Sequence, residues 1–203
     1  MRTIKVYRHG ATMGTAPLQN SHKRGIRGDV CGWTPAATRR NVAFLRSITD
    51  RDLPTTTDGQ PLKAYAVTLT LKKCPETPQD WHTMRDSYMK RMARLGLYRS
   101  HWVCEWQRRG VPHLHAAFWF TGDIQPGQIV RAWCEVAEPY GAGRQSQHVL
   151  PIFDAVGWFK YMSKHAARGV QHYQRSNDNK PEQWGEKTGR VWGHTGDWPR
   201  IEG

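Results

Sequence analysis

The sequence predicts an α+β fold, in which a central antiparallel sheet of about five strands carries helices packed on one face. Residues from Ala64 onward alternate between apolar and polar positions, which is typical of a half-buried strand. The chain then changes period several times, in the order strand, helix, hairpin, helix, strand. This order predicts strands that pair antiparallel and helices that cover them.

The first 63 residues precede this pattern and divide into two parts. Residues 1–32 are basic, polar and rich in Gly, Thr and His without a sustained period, which indicates a flexible or loosely packed arm. Within residues 33–63, Thr34 supplies an N-cap and Pro35 the first helical position, so we expect a helix to about Thr49 and then a linker. Residues 64–203 form the main domain with a basic C-terminal extension.

The elements of the main domain follow from their hydrophobic periods. The first strand places every second residue on one apolar face, namely Tyr65, Val67, Leu69 and Leu71. A basic helix follows over residues 78–95, with core residues at helical spacing: Trp81, Met84, Tyr88, Met92 and Leu95. A second helix is expected over residues 124–137 and a further strand over residues 147–153.

A last helix begins after Asp154, which can cap it. An apolar stripe that would face the sheet is formed by Ala155, Phe159, Met162 and Ala166. At about 100° per residue, a second group gathers away from the centre of that stripe: Trp158, Tyr161, Lys164 and His165. Tyr161 and Lys164 are therefore predicted to face a cleft. The alternative is a half-exposed tyrosine beside a solvated lysine.

The hairpin between the helices carries a candidate metal site. His113 and His115 are two residues apart on a strand, so their side chains share a face. Glu105 lies near the end of the preceding strand and can meet them across the hairpin, which would make an open divalent-metal site. A surface histidine pair on an ordinary strand is the alternative. Zinc held with Cys104 also stays open, although strand alternation puts Cys104 on the other face.

The composition favours a nucleic-acid partner. Lys and Arg number 30 against 17 Asp and Glu, a formal charge of +13, and ten Trp, seven Tyr and five Phe are interleaved with them. Bases and aromatic rings together suit single-stranded nucleic acid, which is polyanionic and can stack. A membrane-surface protein would need an amphipathic basic helix, and neither that, a spanning apolar run nor a secretory signal is evident. Four widely spaced cysteines indicate reduced thiols in a cytoplasmic protein.

Four stretches in order together resemble the HUH endonucleases, and more closely the rolling-circle replication initiators (Rep proteins) of small plasmids and single-stranded DNA phages. The likeness covers roughly residues 64–193. It rests on Val67-Thr-Leu-Thr70, on Glu105 with His113-Leu-His115, on Tyr161-Met-Ser-Lys164 and on Gly189-Arg-Val-Trp-Gly193. The resemblance implies an RRM-like palm around the sheet. Two-tyrosine members carry Tyr-x-x-Lys-Tyr-x-x-Lys, whereas the block here reads Trp158-Phe-Lys-Tyr-Met-Ser-Lys164, which predicts a one-tyrosine enzyme.

The resemblance also implies a chemistry. Mn²⁺ or Mg²⁺ on Glu105, His113 and His115 would polarise the scissile phosphate. Tyr161 would attack it, forming a 5′-phosphotyrosyl intermediate and releasing a 3′-hydroxyl, with Lys164 or the metal favouring the phenolate. Tyr173 remains a candidate second nucleophile, but it lacks a lysine three residues later.

The expected partner is single-stranded DNA, in the form of an origin hairpin, together with a helicase and a polymerase of a bacterial or archaeal host. Basic residues around the proposed site are candidates for DNA contacts, against the alternative that they are merely solvated: Arg108, Arg109, Arg168, His172, Arg175, Arg39 and Arg40. Related chemistry serves transposases and relaxases, which gives an alternative within the enzyme class. A non-catalytic basic DNA- or RNA-binding regulator, with a structural histidine pair, is the alternative from another class.

Overall fold

The computed structural model describes residues 2–15, 31–185 and 187–201. The strands are β1 (Arg2–Tyr7), β2 (Gly10–Thr15), β3 (Leu62–Leu69), β4 (Leu97–Trp106), β5 (Pro112–Thr121), β6 (His148–Ile152) and β7 (Trp192–Thr195). The helices are α1 (Pro35–Ser47), α2 (Pro78–Arg94), α3 (Pro126–Val136) and α4 (Ala155–Ala166). Short 3₁₀ turns connect several of these elements.

Five strands form one antiparallel sheet in the order β6-β3-β5-β4-β7. The long hairpin of β4 and β5 lies near its centre, so most of its residues are buried on both faces. This architecture confirms the predicted α+β fold with an antiparallel sheet of five strands.

The four helices divide between the two faces of the sheet, where the sequence had predicted helices on one face. Helices α2 and α3 cover one face and pack on the alternating residues that the first strand was predicted to bury, such as Tyr65, Val67 and Leu69. Helices α1 and α4 cover the other face, over Ala64, Ala117 and Trp119. The sheet is therefore buried on both sides, because the small and aromatic residues of β3 and β5 present apolar surface to each layer.

Side-chain caps begin three of the helices close to the predicted points. The hydroxyl of Thr34 accepts from the backbone N–H of Ala37 at 3.1 Å, and the carboxylate of Asp154 accepts from that of Gly157 at 2.8 Å. Thr77 and Asp80 form a reciprocal capping box at the start of α2. Each cap satisfies a backbone donor that the first helical turn leaves without a partner.

The N-terminal arm differs from the expected irregular segment where the structure describes it. Residues 2–15 pair as a two-stranded antiparallel hairpin. Its apolar side chains Ile4, Val6 and Met13 are mostly exposed, so backbone pairing rather than a core holds it together. Arg46 fastens the hairpin to α1 by donating to the carbonyl of Ala11 at 2.6 Å. The remainder of the predicted arm, residues 16–30, lies outside the described residues.

The last described residues close one side of this second layer. Strand β7 pairs with β4, and residues 199–201 then run beside the end of α1. The N–H of Thr49 donates to the carbonyl of Pro199 at 2.8 Å, and the N–H of Ile201 to that of Ser47 at 2.7 Å. Across the described ranges, no helix is long and apolar enough to span a membrane.

Candidate active site

The central hairpin brings the predicted metal ligands onto one face of the sheet. Glu105 of β4 pairs with His113 of β5, and Val103 pairs with His115. Because residues 103 and 105 share a face, as do 113 and 115, the carboxylate and both imidazoles point the same way. Cys104 points into the opposite core with α2 and α3, so it cannot join the histidines in a zinc site.

Helix α4 lies over this face and adds two further rings. His165 lies 5.0 Å from His115 and 4.6 Å from Tyr161, between ring centroids. His113 lies 4.4 Å from His115. The four side chains therefore form a continuous row of rings, from the end of the hairpin to the middle of the helix.

The carboxylate of Glu105 lies at the buried end of this row and is held by two arginines. Arg175 donates from Nε to Oε1 at 2.8 Å, and Arg168 donates to Oε2. Nε2 of His115 lies 3.5 Å from Oε2, and Nδ1 of His165 lies 4.0 Å from Oε1. The negative charge of Glu105 is thus compensated by two cations within the protein.

Arg175 is fully buried and does not lie on a DNA-facing surface as the sequence had led us to expect. Its Nη2 donates to the carbonyl of His165 at 2.9 Å, and its Nη1 donates to that of Arg168. Its guanidinium also stacks 3.9 Å from the ring of Trp33. These contacts join the segment after α4 to the sheet, because one side chain bonds to both.

The imidazoles of the row each have one nitrogen with a partner or none at all. Nδ1 of His115 lies 3.0 Å from the hydroxyl of Thr68, and Nδ1 of His113 lies 2.9 Å from the side-chain amide of Gln107. Nε2 of His113, Nε2 of His115 and Nδ1 of His165 are buried without a hydrogen-bond partner. An imidazole oriented through one nitrogen, with the other left open, is the usual state of a metal ligand.

The electrostatic surroundings keep these imidazoles neutral. Burial lowers the pKa of His113 to about 4, with further lowering by Lys164 and Arg168. Burial also holds the pKa of His115 and His165 well below the ordinary value. Neutral imidazoles can offer a lone pair, so this donor set fits a divalent ion. Among the described residues no three such ligands are already gathered around one point, since Arg168 and Arg175 occupy Glu105.

Tyr161 is buried, whereas the sequence had predicted that it faces an open cleft. Its hydroxyl lies 3.0 Å from Nδ1 of His101, and Nε2 of that imidazole lies 2.7 Å from Oδ1 of Asn41. Since Asn41 Oδ1 is an acceptor, Nε2 carries the imidazole proton and Nδ1 accepts from the Tyr161 hydroxyl. Burial, and then the charge of Glu105, raise the pKa of Tyr161 well above its ordinary value.

The predicted stripe of α4 was wrong, and this error explains the misplaced tyrosine. Phe159 is 47% exposed and Ala155 is also exposed. The side that faces the sheet consists of Trp158, Tyr161, Met162 and His165. A helical wheel cannot distinguish the two sides here, because the polar atoms of Tyr161 and His165 obtain partners or neighbours only from residues distant in sequence.

Lys164 and the remaining candidate DNA contacts lie around this row. Lys164 is exposed, and it is close enough to help lower the pKa of both His113 and His115. Arg108 is exposed and lies 5.0 Å over the ring of Tyr173. The other predicted contacts are the exposed pair Arg39 and Arg40 on α1, the half-buried His172, and Arg109, whose guanidinium is fixed by the carbonyls of Leu71 and Lys72.

Sequence reasoning missed His101 and Asn41 and gave His165 no role. The spacing of four residues between Tyr161 and His165 was visible, but it did not show that both rings face the sheet. No local pattern marks Asn41 or His101, because sixty residues of chain separate them. Tyr173 lies outside the row and is 45% exposed.

Comparisons with known proteins agree on one family. The family model of the ORF2-type replication-associated proteins matches residues 64–166. The replication-associated protein of Pseudomonas phage Pf3 is 51% identical over 207 residues, covering 100% of this chain and 72% of the relative. Putative replication proteins of two Xylella fastidiosa strains, Temecula1 and 9a5c, are each 52% identical over 200 residues, covering 98% of this chain and 73% and 68% of theirs. No solved structure matches the chain.

Proposed function

The chain belongs to the family of ORF2-type replication-associated proteins, and from that premise we propose that it nicks and rejoins one DNA strand to start rolling-circle replication. The observation that carries this proposal is the row of rings beside Glu105. It combines a phenol, three neutral imidazoles with open nitrogens and a carboxylate on one side of the sheet. Cleavage of a phosphodiester needs such a set, a nucleophile and a group that stabilises charge on the phosphate.

Glu105, His113 and His115 are the residues that would hold a divalent ion, Mn²⁺ or Mg²⁺. When bound, the ion would supply Lewis acidity to the non-bridging oxygens of the phosphate. Two imidazoles suit Mn²⁺ at least as well as Mg²⁺. Glu105 must first release one of its arginines. Arg168 is the more accessible of the two, since it is 13% exposed and Arg175 is fully buried.

Tyr161 is the proposed nucleophile. A bond forms between its phenolic oxygen and phosphorus, the bond from phosphorus to the 3′-oxygen breaks, and the 3′-oxygen leaves as a hydroxyl after taking up a proton. The phenolic proton has an acceptor within reach at Nδ1 of His101, 3.0 Å away. Because one ester replaces another, the 3′-hydroxyl can reverse the reaction and rejoin the strand without ATP.

The burial of Tyr161 means that the site must open before DNA can reach the phenol. Opening requires only that α4 shift relative to the sheet, since the hydroxyl has one partner, His101. Lys164 and Arg168 lie on or just after the same helix. They would meet the phosphates of the entering strand, and this would draw Arg168 away from Glu105.

A replication protein that binds DNA without cutting it is the second candidate. The same burial of Tyr161 favours it, together with the saturation of Glu105 by Arg168 and Arg175. In that case the row of imidazoles would be structural.

One assay separates the two candidates. The protein is incubated with Mn²⁺ and single-stranded oligonucleotides that together cover the origin hairpin of the replicon, and a covalent adduct is sought on a denaturing gel. We expect an adduct that disappears with EDTA and falls at least 100-fold in His115→Ala, with His194→Gln as the matched control outside the row. Absence of an adduct on every oligonucleotide would support the binding-only candidate.

A further inference from the structure

A second concave surface lies on the same side of the sheet as Tyr161. It is a cavity of about 490 Å³ at the junction of β1, α1, β7 and the last described residues. This volume falls within the range of roughly 300–1,000 Å³ that is common for small-molecule sites. Nothing in the proposed cleavage chemistry uses this cavity.

The lining of the cavity combines cations with flat rings. Its positive side chains are Lys5, Arg40 and Arg200, and its rings include Trp192, His194 and Trp198. No carboxylate from the described residues lines it. Guanidinium groups bind phosphate oxygens, and indole and imidazole rings stack on nucleobases, so the lining matches the two chemical parts of a nucleotide.

The walls are held in place by contacts of their own. His194 stacks on Phe44 at 4.1 Å between centroids and 8° between planes. Arg200 donates from Nε to the hydroxyl of Ser47 at 3.2 Å and lies 5.6 Å over Phe44. The indole N–H of Trp198 donates to the carbonyl of Thr195 at 2.9 Å. The cavity is therefore preformed, which lowers the entropic cost of ordering a ligand in it.

The cations of this region are close enough to act on one another. The pKa of His194 is lowered from its ordinary value, first by burial and then by Arg200 and Arg190. A phosphate would offset this repulsion, because it places negative charge between the cations.

The cavity also adjoins the proposed nucleophile. Phe44 lines it and stacks on His101 at 5.6 Å and 13°. His101 in turn bonds to the Tyr161 hydroxyl. A strand that reaches Tyr161 thus passes within one layer of side chains of this cavity.

We propose that this cavity binds one nucleotide of single-stranded DNA, with its base stacked on Trp198, Trp192 or His194 and its phosphate bound by Arg40 and Arg200. The inference rests on the proposed function for the choice of a strand over a free nucleotide. A duplex is excluded as the occupant, because its bases are already stacked and cannot enter a cavity of this size.

Photo-crosslinking tests the contact directly. The full chain carrying Tyr161→Phe, which would not cut the strand, is irradiated with oligothymidylate containing one 5-iodouracil, and the cross-linked peptide is identified by mass spectrometry. We expect cross-links to Trp192, His194 or Trp198. Cross-links found only in other peptides would overturn the assignment.

Binding measurements test the cations. Arg40→Gln with Arg200→Gln should weaken binding of oligothymidylate about 10-fold and reduce the salt slope by about 0.7 for each phosphate that is no longer bound. The matched control, Lys90→Gln with Arg94→Gln, removes the same charge from exposed positions of α2 on the opposite face and should change the affinity less than twofold. Arg40→Gln alone, at an exposed position, serves if the double variant does not fold. A decrease in affinity no larger than that of the control contradicts the proposal.

Competition with thymidine monophosphate distinguishes a strand from a free nucleotide. We expect the mononucleotide to compete at least 100-fold less well than the oligonucleotide, and equal competition would overturn a strand-binding role. These readouts do not depend on cleavage. A wild-type chain that forms no adduct, but whose cavity variants bind DNA more weakly, would refute the nicking function and leave the nucleotide site standing.

Discussion

Tyr161 is held in this structure by a neutral histidine, and the surroundings of that histidine dictate its charge. His101 is fully buried and lies among Phe44, Tyr161 and Trp192. Burial, and then the charges of His194 and Arg175, lower its pKa to about 3. An imidazole in this state orients the phenol by accepting its proton in a hydrogen bond, and it becomes an effective base only when negative charge approaches.

The depressed pKa of His101 predicts a pH dependence of stability with a definite sign. Unfolding returns the pKa to about 6.5, so between pH 6.5 and about pH 3 the unfolded chain binds a proton that the folded chain does not. Protonation then favours unfolding as the pH falls. The free energy of unfolding of the wild type should fall relative to that of His101→Gln by about 1.4 kcal/mol per pH unit in this window. Urea denaturation from pH 7 to pH 4 measures this, and parallel curves for the two proteins would count against it.

Arg168 predicts a competition for Glu105. Because it bonds to Oε2 of Glu105, it must compete with any ion that uses this carboxylate. Arg168→Gln should therefore bind Mn²⁺ several-fold more tightly than the wild type, measured by calorimetry on metal-free protein. His115→Ala should bind it at least 10-fold more weakly. Equal affinities in all three proteins would show that the ion, if it binds, binds elsewhere.

Among the elements, α4 is where sequence and structure differ most. Its existence, its Asp154 cap and its place over the sheet follow from local patterns, and the structure agrees. The side that it buries does not follow, because Trp158 packs against Trp119 and Tyr161 bonds to His101. Both partners are distant in sequence. The hairpin was easier, since two-residue periodicity alone aligns Glu105, His113 and His115.

The segment after α4 depends on one buried ion pair, which gives a prediction for this element. Arg175→Met leaves the carboxylate of Glu105 with Arg168 alone and removes the bonds to two carbonyls. Breaking a buried pair by removing one partner costs about 3–5 kcal/mol, so the free energy of unfolding should fall by that amount. Arg168→Met is the matched control and should cost less, because Arg168 is partly exposed. A smaller decrease for Arg175→Met than for the control would refute the proposed role of this ion pair.

At the scale of the whole molecule, the sheet separates two layers with different tasks. Helices α2 and α3 fill the larger core on one face, and the proposed chemistry lies under α1 and α4 on the other. The sequence predicted the sheet and the first layer well, because their residues alternate or repeat with regular periods. It missed α1 as part of the second layer and β1 and β2 as a hairpin, since neither has a strong period and both are positioned by contacts such as that of Arg46 with Ala11.

The central claim concerns the residue that becomes joined to DNA, and mass spectrometry of the covalent adduct tests it most directly. The wild type, Tyr161→Phe and the matched control Tyr173→Phe are each incubated with Mn²⁺ and the origin oligonucleotides, digested, and searched for a peptide that carries a nucleotide. The account predicts a nucleotide on Tyr161 in the wild type and in Tyr173→Phe, and none in Tyr161→Phe. A nucleotide on Tyr173, or an adduct that persists unchanged in Tyr161→Phe, would contradict it.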